Sequence, residues 1–475
     1  MNFKENYPVD FARLALAVPE MNPRYPCTDL GGGNLFADFF QAVARYLPQR
    51  GQWFVYSGKL WQPDPGGLEV MQLCKQLADA LLGYAGTLLD HREREEYRRF
   101  AEKWQNRRYR ETVLKDAAGV YPARLSDFDQ DPWLLNCQNG TLDLRTRDFR
   151  PHNPGDMLAT LAGVNYDPEA ASPLWEETVL AAMNGDRELA GYLQKALGYG
   201  LTGDTREECF FLLYGPTTRN GKGTLMETYM SLLGGYGKVA RPETIALRQG
   251  ISSAGPSEDI AKLCGARAVN ISEPDKQMVL SSALVKTLTG NDTLTARYLH
   301  ENSFEFRPRF KLFINTNHLP RTDDVTVFRS GRVHVLPFER HFSPEEQDHG
   351  LKARLRGELS GVLNWCLEGV MSWAKTGFAP PPAVRAATEQ YRQDSDKLAR
   401  FAGDCLTPDP EGEERVMAVY EAYKRWCAEN GHRAESLPLF RRGLWQLGQL
   451  KRKRPKGSPR EGTVASMLLG FRFSR

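Results

Sequence analysis

The stretch CFFLLYGPTTRNGKGTLMETYMSLLGG, residues 209–235, decides how the rest of the chain is organised. Its first six residues, 209–214, are an apolar run with the length and composition of a buried strand. Gly215 follows, then five residues and Gly221-Lys222-Gly223-Thr224. From residue 225 to 233, large apolar side chains recur at helical spacing. A strand, a glycine-rich turn containing a lysine and then a helix are typical of a phosphate-binding loop.

Each part of this loop has a chemical reason. Glycines let backbone N–H groups point at phosphate oxygens, and the start of a helix adds partial positive charge. The Lys222 ammonium is expected to reach the β- and γ-phosphates of ATP, while a hydroxyl holds Mg²⁺. The spacing has five residues where four are usual, and Gly223 follows the lysine, so the hydroxyl falls to Thr224. The residues expected to bind nucleotide are Gly215, Asn220, Gly221, Lys222, Gly223 and Thr224. The alternative is a glycine-rich turn with no ligand.

Length and composition restrict the remaining possibilities. The 475 residues predict about three domains, and 41% hydrophobic with 25% charged residues is an ordinary globular balance. No apolar run is long enough to cross a membrane, and the N-terminus carries acids where a signal peptide is apolar. Eight cysteines without a Cys-x-x-Cys pair argue against a zinc site or a disulfide framework. They indicate a reducing cytoplasm.

Three further apolar runs predict strands that join the first one in a sheet: residues 267–271, 310–315 and 332–336. Helical segments separate them, which predicts an α/β layered domain. Glu273 follows the first run, where an acid is needed to hold Mg²⁺ or orient water. Asn317 follows the second and is placed to sense the γ-phosphate. The alternatives are an ordinary exposed glutamate and an asparagine that only forms a turn.

Two arginines stand at the start of the last of these runs: Arg329 precedes it and Arg332 is its first residue. In oligomeric ATPases a neighbouring subunit supplies an arginine that neutralises transition-state charge. The alternative is plain surface charge. Residues 294–306 are predicted to form a hairpin with Arg297 and His300 near its tip, suited to following a single-strand backbone. A plain extension of the sheet is nearly as good an interpretation.

The N-terminal part predicts a mixture of helices and hairpins. Residues 34–45 have an amphipathic helical pattern, and residues 51–64 are typical of a hairpin with a Ser57-Gly58 turn. Residues 134–146 form a second predicted hairpin around Asn139-Gly140, a strong turn signal. The charge-dense run 91–110 is interpreted as a solvated helix face rather than a DNA contact.

The C-terminal end is basic although the net charge of the chain is only +3. From residue 441 to 475 there are ten Lys or Arg and one acid, which leaves the remainder near −6 and suggests a polyanion partner. After a boundary at residues 380–382, the sequence predicts helices at 416–430 and 439–450, a basic turn, and a strand at 463–473. This is a winged-helix pattern; a loose basic tail is the alternative. The predicted DNA contacts here are Arg441, Arg442, Lys451, Arg452 and Lys453.

Five segments, GPTTRNGKGT, ISE, LVKTLTGNDTLTAR, FEFRPRFKLFINTNHLP and GRVHVLPFERHF, occur in this order. In order and spacing they resemble the phage and plasmid primase-helicase C-terminal family. That family is similar to the poxvirus-type primase-helicases and belongs with the superfamily 3 helicases. Upstream, NGTLDLRTRDFRPHNP and YLQKALGYGLTGDTREECFFLLYG also resemble the region before that family's ATPase.

The resemblance implies an ATP-driven DNA helicase that assembles as a ring, commonly a hexamer, with Mg²⁺ bound at Thr224 and Glu273. It assigns Lys222, Glu273, Asn317 and an arginine finger, best matched by Arg332, as catalytic residues. It also places Arg297 and His300 at single-stranded DNA in the ring channel, with duplex at the winged helix. Ser272 stands where the family often has the first of two acids. No primase-like site is found, so a separately encoded primase is an expected partner.

The expected fold is therefore an α/β, P-loop AAA+-like ATPase core between a mixed helical and β-hairpin domain and a C-terminal winged helix. The expected divisions are an N-terminal extension at 1–30, a pre-helicase domain at 31–175, the ATPase at 176–380 and the winged helix at 381–475. The expected setting is a phage or other mobile element in a bacterial host cytoplasm, with no membrane. Two other functions stay open: a replication initiator that remodels DNA without processive unwinding, and a DNA-binding scaffold with a degenerate ATP site.

Overall fold

The computed structural model describes residues 23–247, 258–275, 278–299, 302–322, 324–430, 434–453 and 464–474. These residues form a helical N-terminal unit, a central parallel sheet flanked by helices, and a C-terminal unit around an antiparallel sheet. No helix within the described ranges is long and apolar enough to cross a membrane. His300 and most of the basic turn, residues 454–460, lie outside the described residues, as do the side chains of Arg329 and Lys453.

From residue 23 onward, the N-terminal unit packs four helices against a small antiparallel sheet around one apolar core. Strands β2 and β3 confirm the first predicted hairpin, and β1 pairs with β2 on its other edge. In the charged helix that begins at His91, Tyr97 and Phe100 are buried, so the charges face outward as expected. The helices are α1 (Asp29–Phe40), α2 (Leu68–Thr87), α3 (His91–Lys103) and α4 (Arg107–Ala117). The strands are β1 (Ala44–Leu47), β2 (Gln52–Tyr56) and β3 (Trp61–Pro63).

The second predicted hairpin is also present, with its turn one residue earlier than Asn139-Gly140. Strand β4 (Leu134–Cys137) pairs with β5 (Gly140–Asp143), and β5 with β6 (Phe149–Arg150). Gly140 is already part of β5, where a Cβ atom would lie 2.5 Å from the Arg150 carbonyl oxygen. The buried residues of this hairpin pack into the core of the central unit.

The central sheet has five parallel strands in the order β15-β7-β13-β9-β8. All three strands expected to join the first one are there, and all five carboxyl ends lie at one edge. The strands are β7 (Phe210–Tyr214), β8 (Gly237–Ala240), β9 (Ala268–Ser272), β13 (Lys311–Thr316) and β15 (Val333–Pro337). Outside this sheet, β10 (Val279–Leu280) pairs with β14 (Arg321–Thr322), and β11 (Leu294–Ala296) with β12 (Phe304–Phe306).

Apolar runs make these strands because both faces of the sheet are covered by protein. Phe211 and Phe313 pack into the core on one face, while Phe210 and Ile314 pack into a second core on the other. The larger flanking helices are α5 (Pro173–Ala182), α6 (Arg187–Leu201), α7 (Lys222–Leu233), α9 (Ser282–Thr289), α11 (Leu351–Gly357), α12 (Leu359–Thr376) and α13 (Pro382–Ser395). Two short helices are α8 (Glu258–Ala261) and α10 (Thr326–Arg329).

Helices α6 and α12 approach each other through glycines. A Cβ atom on Gly198 would lie 2.5 Å from the Val370 backbone nitrogen, and one on Gly369 would lie 2.0 Å from the Gln194 carbonyl oxygen. Neither distance is compatible with a side chain, so the backbones themselves are in contact. Helix α6 is followed by residues 202–209 and then by β7, so its position is linked to that of the strand before the glycine-rich loop.

Element boundaries differ from the sequence expectation in two places. The helix predicted at 34–45 is α1, which ends at Phe40, and residues 44–45 belong to β1. Helix α13 packs on the central sheet: the Thr388 hydroxyl accepts a hydrogen bond from the Val335 N–H at 3.0 Å, and the Tyr391 hydroxyl donates to the Pro320 carbonyl at 2.6 Å. The packing therefore divides the central and C-terminal units after α13 rather than at residue 380.

The C-terminal unit combines three helices with a sheet in the order β16-β18-β17. The predicted helix at 416–430 and the last predicted strand are confirmed. The second predicted helix ends at Leu447 rather than at 450, and β17, α14 and β16 were not foreseen. Strand β16 has the sequence LTPDPEGEER, whose prolines, glycine and acids are typical of a loop; it lies at a sheet edge with an irregularity between Pro408 and Glu413. The helices are α14 (Lys397–Cys405), α15 (Val416–Glu429) and α16 (Leu437–Leu447). The strands are β16 (Leu406–Arg415), β17 (Gln449–Lys453) and β18 (Ala465–Phe473).

Candidate functional site

The glycine-rich loop joins the carboxyl end of β7 to the start of α7. Its last residue, Gly221, caps the helix with a φ of 85°. Arg219, two residues earlier, has a φ of 58°, which is uncommon for a residue other than glycine. The five-residue spacing therefore includes a left-handed turn at Arg219, and α7 begins at Lys222 with its N-terminus at the sheet edge.

The first glycine of the loop is required by space. A Cβ atom on Gly215 would lie 2.3 Å from Asn220 Nδ2, 2.6 Å from the Phe338 carbonyl oxygen and 2.9 Å from Lys222 Nζ. Asn220 is buried, and its Nδ2 donates to the Thr217 carbonyl at 2.6 Å, which closes the loop on itself. At Gly223, by contrast, nothing lies within 4 Å of an added Cβ. The unusual glycine after the lysine is thus not demanded by packing.

Lys222 and Asn317, predicted from different segments of the sequence, are in contact. Lys222 Nζ donates to Asn317 Oδ1 at 2.9 Å and to the Gly215 carbonyl at 3.4 Å. Burial lowers the pKa of Lys222 to about 8, against the opposing effect of the Glu273 carboxylate. The lysine is therefore held on the loop, and one of its partners is the side chain that follows β13.

Glu273 lies at the same edge, directly after β9. Its N–H donates to the Asn315 carbonyl at 2.8 Å, its φ is 53°, and its side chain is exposed. Glu273, Lys222, Asn220 and Asn317 all line one open cleft of about 460 Å³. The structure thus brings together the loop, the acid and the polar residue from three neighbouring strands.

Thr224 lies apart from this lining: Gly223 faces the cleft, whereas Thr224 is half-buried in the first turn of α7. The described residues contain no group of three or more His, Cys, Asp or Glu that could hold a metal ion. Mg²⁺ usually takes one or two protein carboxylates together with substrate phosphates and waters. Glu273, a carboxylate in the cleft lining, fits such a nucleotide-bound ion rather than a preformed metal centre, and Thr224 as a second ligand stays a prediction.

Two further polar residues in this cleft were missed from the sequence. Asn270 lies in the middle of β9 and Asn315 near the end of β13. Both line the cleft, and Asn315 Nδ2 donates to Asn270 Oδ1 at 2.6 Å. The available signal was an asparagine within each of two otherwise mostly apolar runs.

Arg332 lies at the opposite, amino-terminal end of the sheet. Its Nη1 donates to the Glu208 carbonyl at 3.0 Å and to the Thr289 hydroxyl at 3.1 Å, and its Nη2 forms an ion pair with the Glu208 carboxylate. The Arg332 side chain is only 15% exposed. The structure therefore does not bring Arg332 to Lys222 of its own chain, and action on a neighbouring subunit requires the ion pair with Glu208 to open.

A buried lysine, Lys311, occupies the same amino-terminal end. Its Nζ donates to the carbonyls of Thr202 at 2.5 Å and Asp204 at 3.1 Å, and it lies 4.5 Å from the centre of the Tyr199 ring. Burial lowers the pKa of Lys311 well below its usual value. Lys311 thus ties β13 to the loop between α6 and β7.

The predicted hairpin after β10 is confirmed by the antiparallel pairing of β11 with β12. Arg297 follows β11 and is half-buried. Tyr298 stacks on Phe304 with ring centres 5.5 Å apart, and the Arg50 guanidinium lies 5.1 Å from the Tyr298 ring. Arg50 belongs to the N-terminal unit, so the described part of the hairpin is held against that unit.

The described residues predicted to contact DNA in the C-terminal unit lie on one helix and one strand. Arg441 and Arg442 are exposed on α16, as are Lys451 and Arg452 on β17. Arg441 also donates to the Ser466 hydroxyl of β18. Trp445, on the same helix, is 64% exposed and was missed, although an aromatic beside the polar side of an amphipathic helix was the available signal. The described part of this surface is basic with one large aromatic.

Three protein-family models match parts of the chain. Residues 33–183 match the family described as D5 N terminal like, residues 213–330 a family of unknown function (DUF5906), and residues 393–461 the family described as Poxvirus D5 protein-like. The N-terminal and C-terminal parts of the chain are therefore similar to poxvirus-type D5 proteins.

Several viral relatives align with the chain. It is 27% identical over 355 residues to "Putative helicase L207/L206" of Acanthamoeba polyphaga mimivirus, covering 68% of this chain and 36% of that protein. It is 28% identical over 239 residues to "Putative helicase 022R" of Frog virus 3 (isolate Goorha), covering 46% of this chain and 24% of that protein. The chain therefore spans about a third or less of these relatives. The solved structure "The apo structure of NrS-1 C terminal region (305-718)" is 11% identical with a TM-score of 0.48, covering 90% of this chain and 96% of that one.

Proposed function

We propose that the chain is an ATP-dependent, ring-forming DNA helicase of superfamily 3 with a P-loop, AAA+-like core. The observation that carries this proposal is the contact between Lys222 and Asn317 in an open cleft at the carboxyl edge of a parallel sheet. In open α/β sheets, ligands bind outside the carboxyl ends of the strands. The strand before the loop, β7, lies between β13 and β15, so side chains that follow β13 stand beside the loop.

Each residue of the cleft has a role in ATP hydrolysis. The backbone N–H groups at the start of α7 and the Lys222 ammonium bind the phosphates. Glu273 orients the attacking water, and Asn317 changes partner from Lys222 to the γ-phosphate. Thr224 and Glu273 would hold a Mg²⁺ bound with the nucleotide, which would supply positive charge to the phosphates. Arg332 of one subunit completes the site of its neighbour in a ring, for which a hexamer is the proposed state.

The DNA contacts belong to two other parts of the chain. In the C-terminal unit the described order is helix, strand, two helices and two strands, which supports a winged helix with α16 as the helix that meets duplex. Lys451, Arg452 and Lys453 begin the wing. Arg297 and His300 contact the single strand in the ring channel. A separately encoded primase stays a prediction. A bacterial mobile element as the setting also stays a prediction, because the relatives come from viruses of eukaryotes.

Replacing the loop lysine tests the catalytic proposal. Lys222→Ala should lower ATP turnover on the order of 10²-fold or more, because a positioned charge on the transferring phosphate is lost. It should also abolish strand displacement on a forked duplex. Circular dichroism and gel filtration establish that the fold is intact, and Lys375→Ala, at an exposed lysine on α12 outside the cleft, is the matched control. Near-normal turnover by Lys222→Ala would contradict the assignment of the loop.

Replacing two wing residues tests the duplex-binding surface. The double variant Lys451→Ala/Arg452→Ala should weaken duplex binding and reduce the slope of log K against log salt by about two, because each phosphate contact contributes nearly one unit. ATP turnover without DNA should not change. A matched control on the same unit is Arg425→Ala/Lys424→Ala on α15. An unchanged slope in the wing variant would exclude this surface as the DNA contact.

One observation favours the second candidate, a DNA-remodelling initiator without processive unwinding. Arg50 holds the hairpin through Tyr298, and Arg309 donates to the backbone carbonyls of Asp129 and Gln130. A hairpin held near its tip and just beyond its second strand moves less freely than translocation demands. Multiple-turnover unwinding of long duplexes separates the two: only a helicase displaces strands well beyond the length of its binding site.

A further inference from the structure

Helix α16 of the C-terminal unit has one face in the core and one in solvent. Phe440 and Leu444 are buried, and the Phe440 ring stacks on the Tyr423 ring with centres 4.8 Å apart. These contacts fix the rotation of the helix about its own axis. Trp445, the residue after Leu444, is exposed and therefore faces away from the core.

The exposure of Trp445 distinguishes it from the other tryptophans of the chain. There are nine, all within the described residues, and the other eight are buried or half-buried. Tryptophan has a large apolar area and is highly buried on average. The indole of Trp445 thus presents a flat apolar face that a planar partner can cover.

The surroundings of Trp445 are basic. Arg441 and Arg442, one turn earlier, lie within about 60° of it around the helix axis, at 3.6 residues per turn. Residues 437–453, which contain α16 and β17, include five Lys or Arg and no acid. Glu435, the nearest preceding acid, is ion-paired with a lysine of α14. The side of α16 that carries the indole therefore attracts anions.

The exposed apolar residues of α16 do not form one patch for a protein partner. Leu439 is also exposed, but it lies about 120° away from Trp445 around the helix axis. An aromatic ring among cations is typical of single-strand binding, in which cations follow the phosphates and rings cover the bases. In a duplex, neighbouring base pairs cover each base face, so an indole can stack only where a base is unpaired.

We propose that Trp445 stacks on an unpaired DNA base next to a duplex, so that the C-terminal unit recognises the junction between single- and double-stranded DNA. This inference rests on the proposed DNA-binding surface and names the form of DNA that the surface takes. The basic residues of α16 and β17 bind phosphates of the duplex, while the indole covers the first base beyond it. Because every base has a π-face, this contact selects a DNA structure rather than a sequence.

The experiment measures binding of the full chain, by fluorescence anisotropy, to a blunt duplex and to the same duplex with a single unpaired base at its 5′ or its 3′ end. Such an overhang offers a base to stack on without a strand to thread through a ring. Wild type should bind one of the overhangs about tenfold more tightly than the blunt duplex, from the stacking of one base. Trp445→Ala should lose this preference, with unchanged blunt-duplex affinity and salt slope, because the indole carries no charge.

A matched control and a spectroscopic signature accompany this measurement. Leu439→Ala truncates an exposed apolar residue on the same helix and should keep the preference. Trp445→Phe should retain part of it, because a smaller ring still stacks. A 2-aminopurine placed as the unpaired base should lose fluorescence on binding wild type, since stacking quenches it, and should stay bright with Trp445→Ala.

The outcomes separate this inference from the proposed function. If wild type binds no DNA, the proposed DNA-binding surface fails, and this inference with it. If wild type binds the blunt duplex without preferring an overhang, or Trp445→Ala keeps the preference, the role of Trp445 is overturned while the duplex surface stands. A changed oligomeric mass of Trp445→Ala in ultracentrifugation, with all DNA affinities unchanged, would overturn it too and assign the indole to an interface between copies.

Discussion

Basic side chains lie at both ends of the central sheet, but their surroundings differ. At the carboxyl end, Lys222 is held by Asn317 at the side of an open cleft. At the amino end, Lys311 is buried and donates to backbone carbonyls, and Arg332 forms an ion pair with Glu208. A basic residue at the first end faces space that a ligand can fill; at the second it faces its own chain. Type of residue alone does not separate a binding group from a structural one.

The largest effect is expected at the amino end, if Arg332 opens from Glu208 to serve a neighbour. Arg332→Ala should then lower ATP hydrolysis about 10³-fold while ATP binding and assembly persist, because an arginine finger acts on transition-state charge. Mixed with inactive Lys222→Ala, it should regain turnover, since some interfaces then hold both groups. Lys222→Ala alone, at the same total protein concentration, is the control.

The mixing experiment decides whether Arg332, at the amino end of the sheet, takes part in hydrolysis. Glu208→Gln removes the charge of the partner and should leave hydrolysis intact if Arg332 acts in trans. Recovery on mixing is the deciding measurement, because a loss of turnover alone would also follow from damage to the fold. No recovery at any ratio, with exchange of subunits established, would make Arg332 a structural residue like Lys311.

The next effect concerns the carboxyl end. Gly215→Ala should lower ATP affinity more than tenfold, because the added Cβ would lie 2.3 Å from Asn220 Nδ2 and 2.9 Å from Lys222 Nζ. Gly223→Ala, where nothing lies within 4 Å, should bind ATP within about twofold of wild type. Isothermal titration of both variants checks this. Equal loss in both would mean that the loop closes differently around its ligand.

The smallest effect is a pH dependence of stability at the amino end. Burial lowers the pKa of Lys311 in the folded chain below its unfolded value, so the unfolded state binds more protons. Stability should therefore rise as pH rises towards the unfolded pKa of about 10.4, and be lower near neutral pH. Between pH 7 and 9.5 the melting temperature of wild type should increase more than that of Lys311→Met. Lys222 is present in both proteins, so its contribution cancels in the comparison. The same dependence of the melting temperature on pH in both proteins would contradict the prediction that burial disfavours the charged form of Lys311.

The sequence predicted the strand, loop and helix, the three partner strands and both N-terminal hairpins, because each is a local pattern of apolar period and turn residues. It also placed Glu273 and Asn317 after neighbouring strands. It could not show that Asn317 contacts Lys222, since strand order is not local. The pairing of Asn270 with Asn315 depends on the register between two strands that are far apart in the chain. Strand β16 was not predicted because its prolines, glycine and acids are typical of loops.

The roles proposed for DNA contacts were reachable only in part. Exposed Arg441, Arg442, Lys451 and Arg452 follow from the charge of the C-terminal end, whereas exposed Trp445 needs the orientation of α16. The end of the central unit after α13 could not be read from Pro380, because proline marks the start of a helix as readily as a boundary. Tyr391 and Thr388, which hold that helix on the sheet, have no local signature.

The contact between α6 and α12 limits what natural variation can do at two positions. Because a Cβ on Gly198 or Gly369 would meet backbone atoms, no other amino acid is compatible with the spacing of these helices. Backbone cannot move aside as a side chain can, so compensation would require moving a whole helix, and with it β7 and the loop. In a collection of functional variants, both positions should be almost free of substitutions. Gly191, on the same helix with nothing within 4 Å of an added Cβ, should by contrast vary widely.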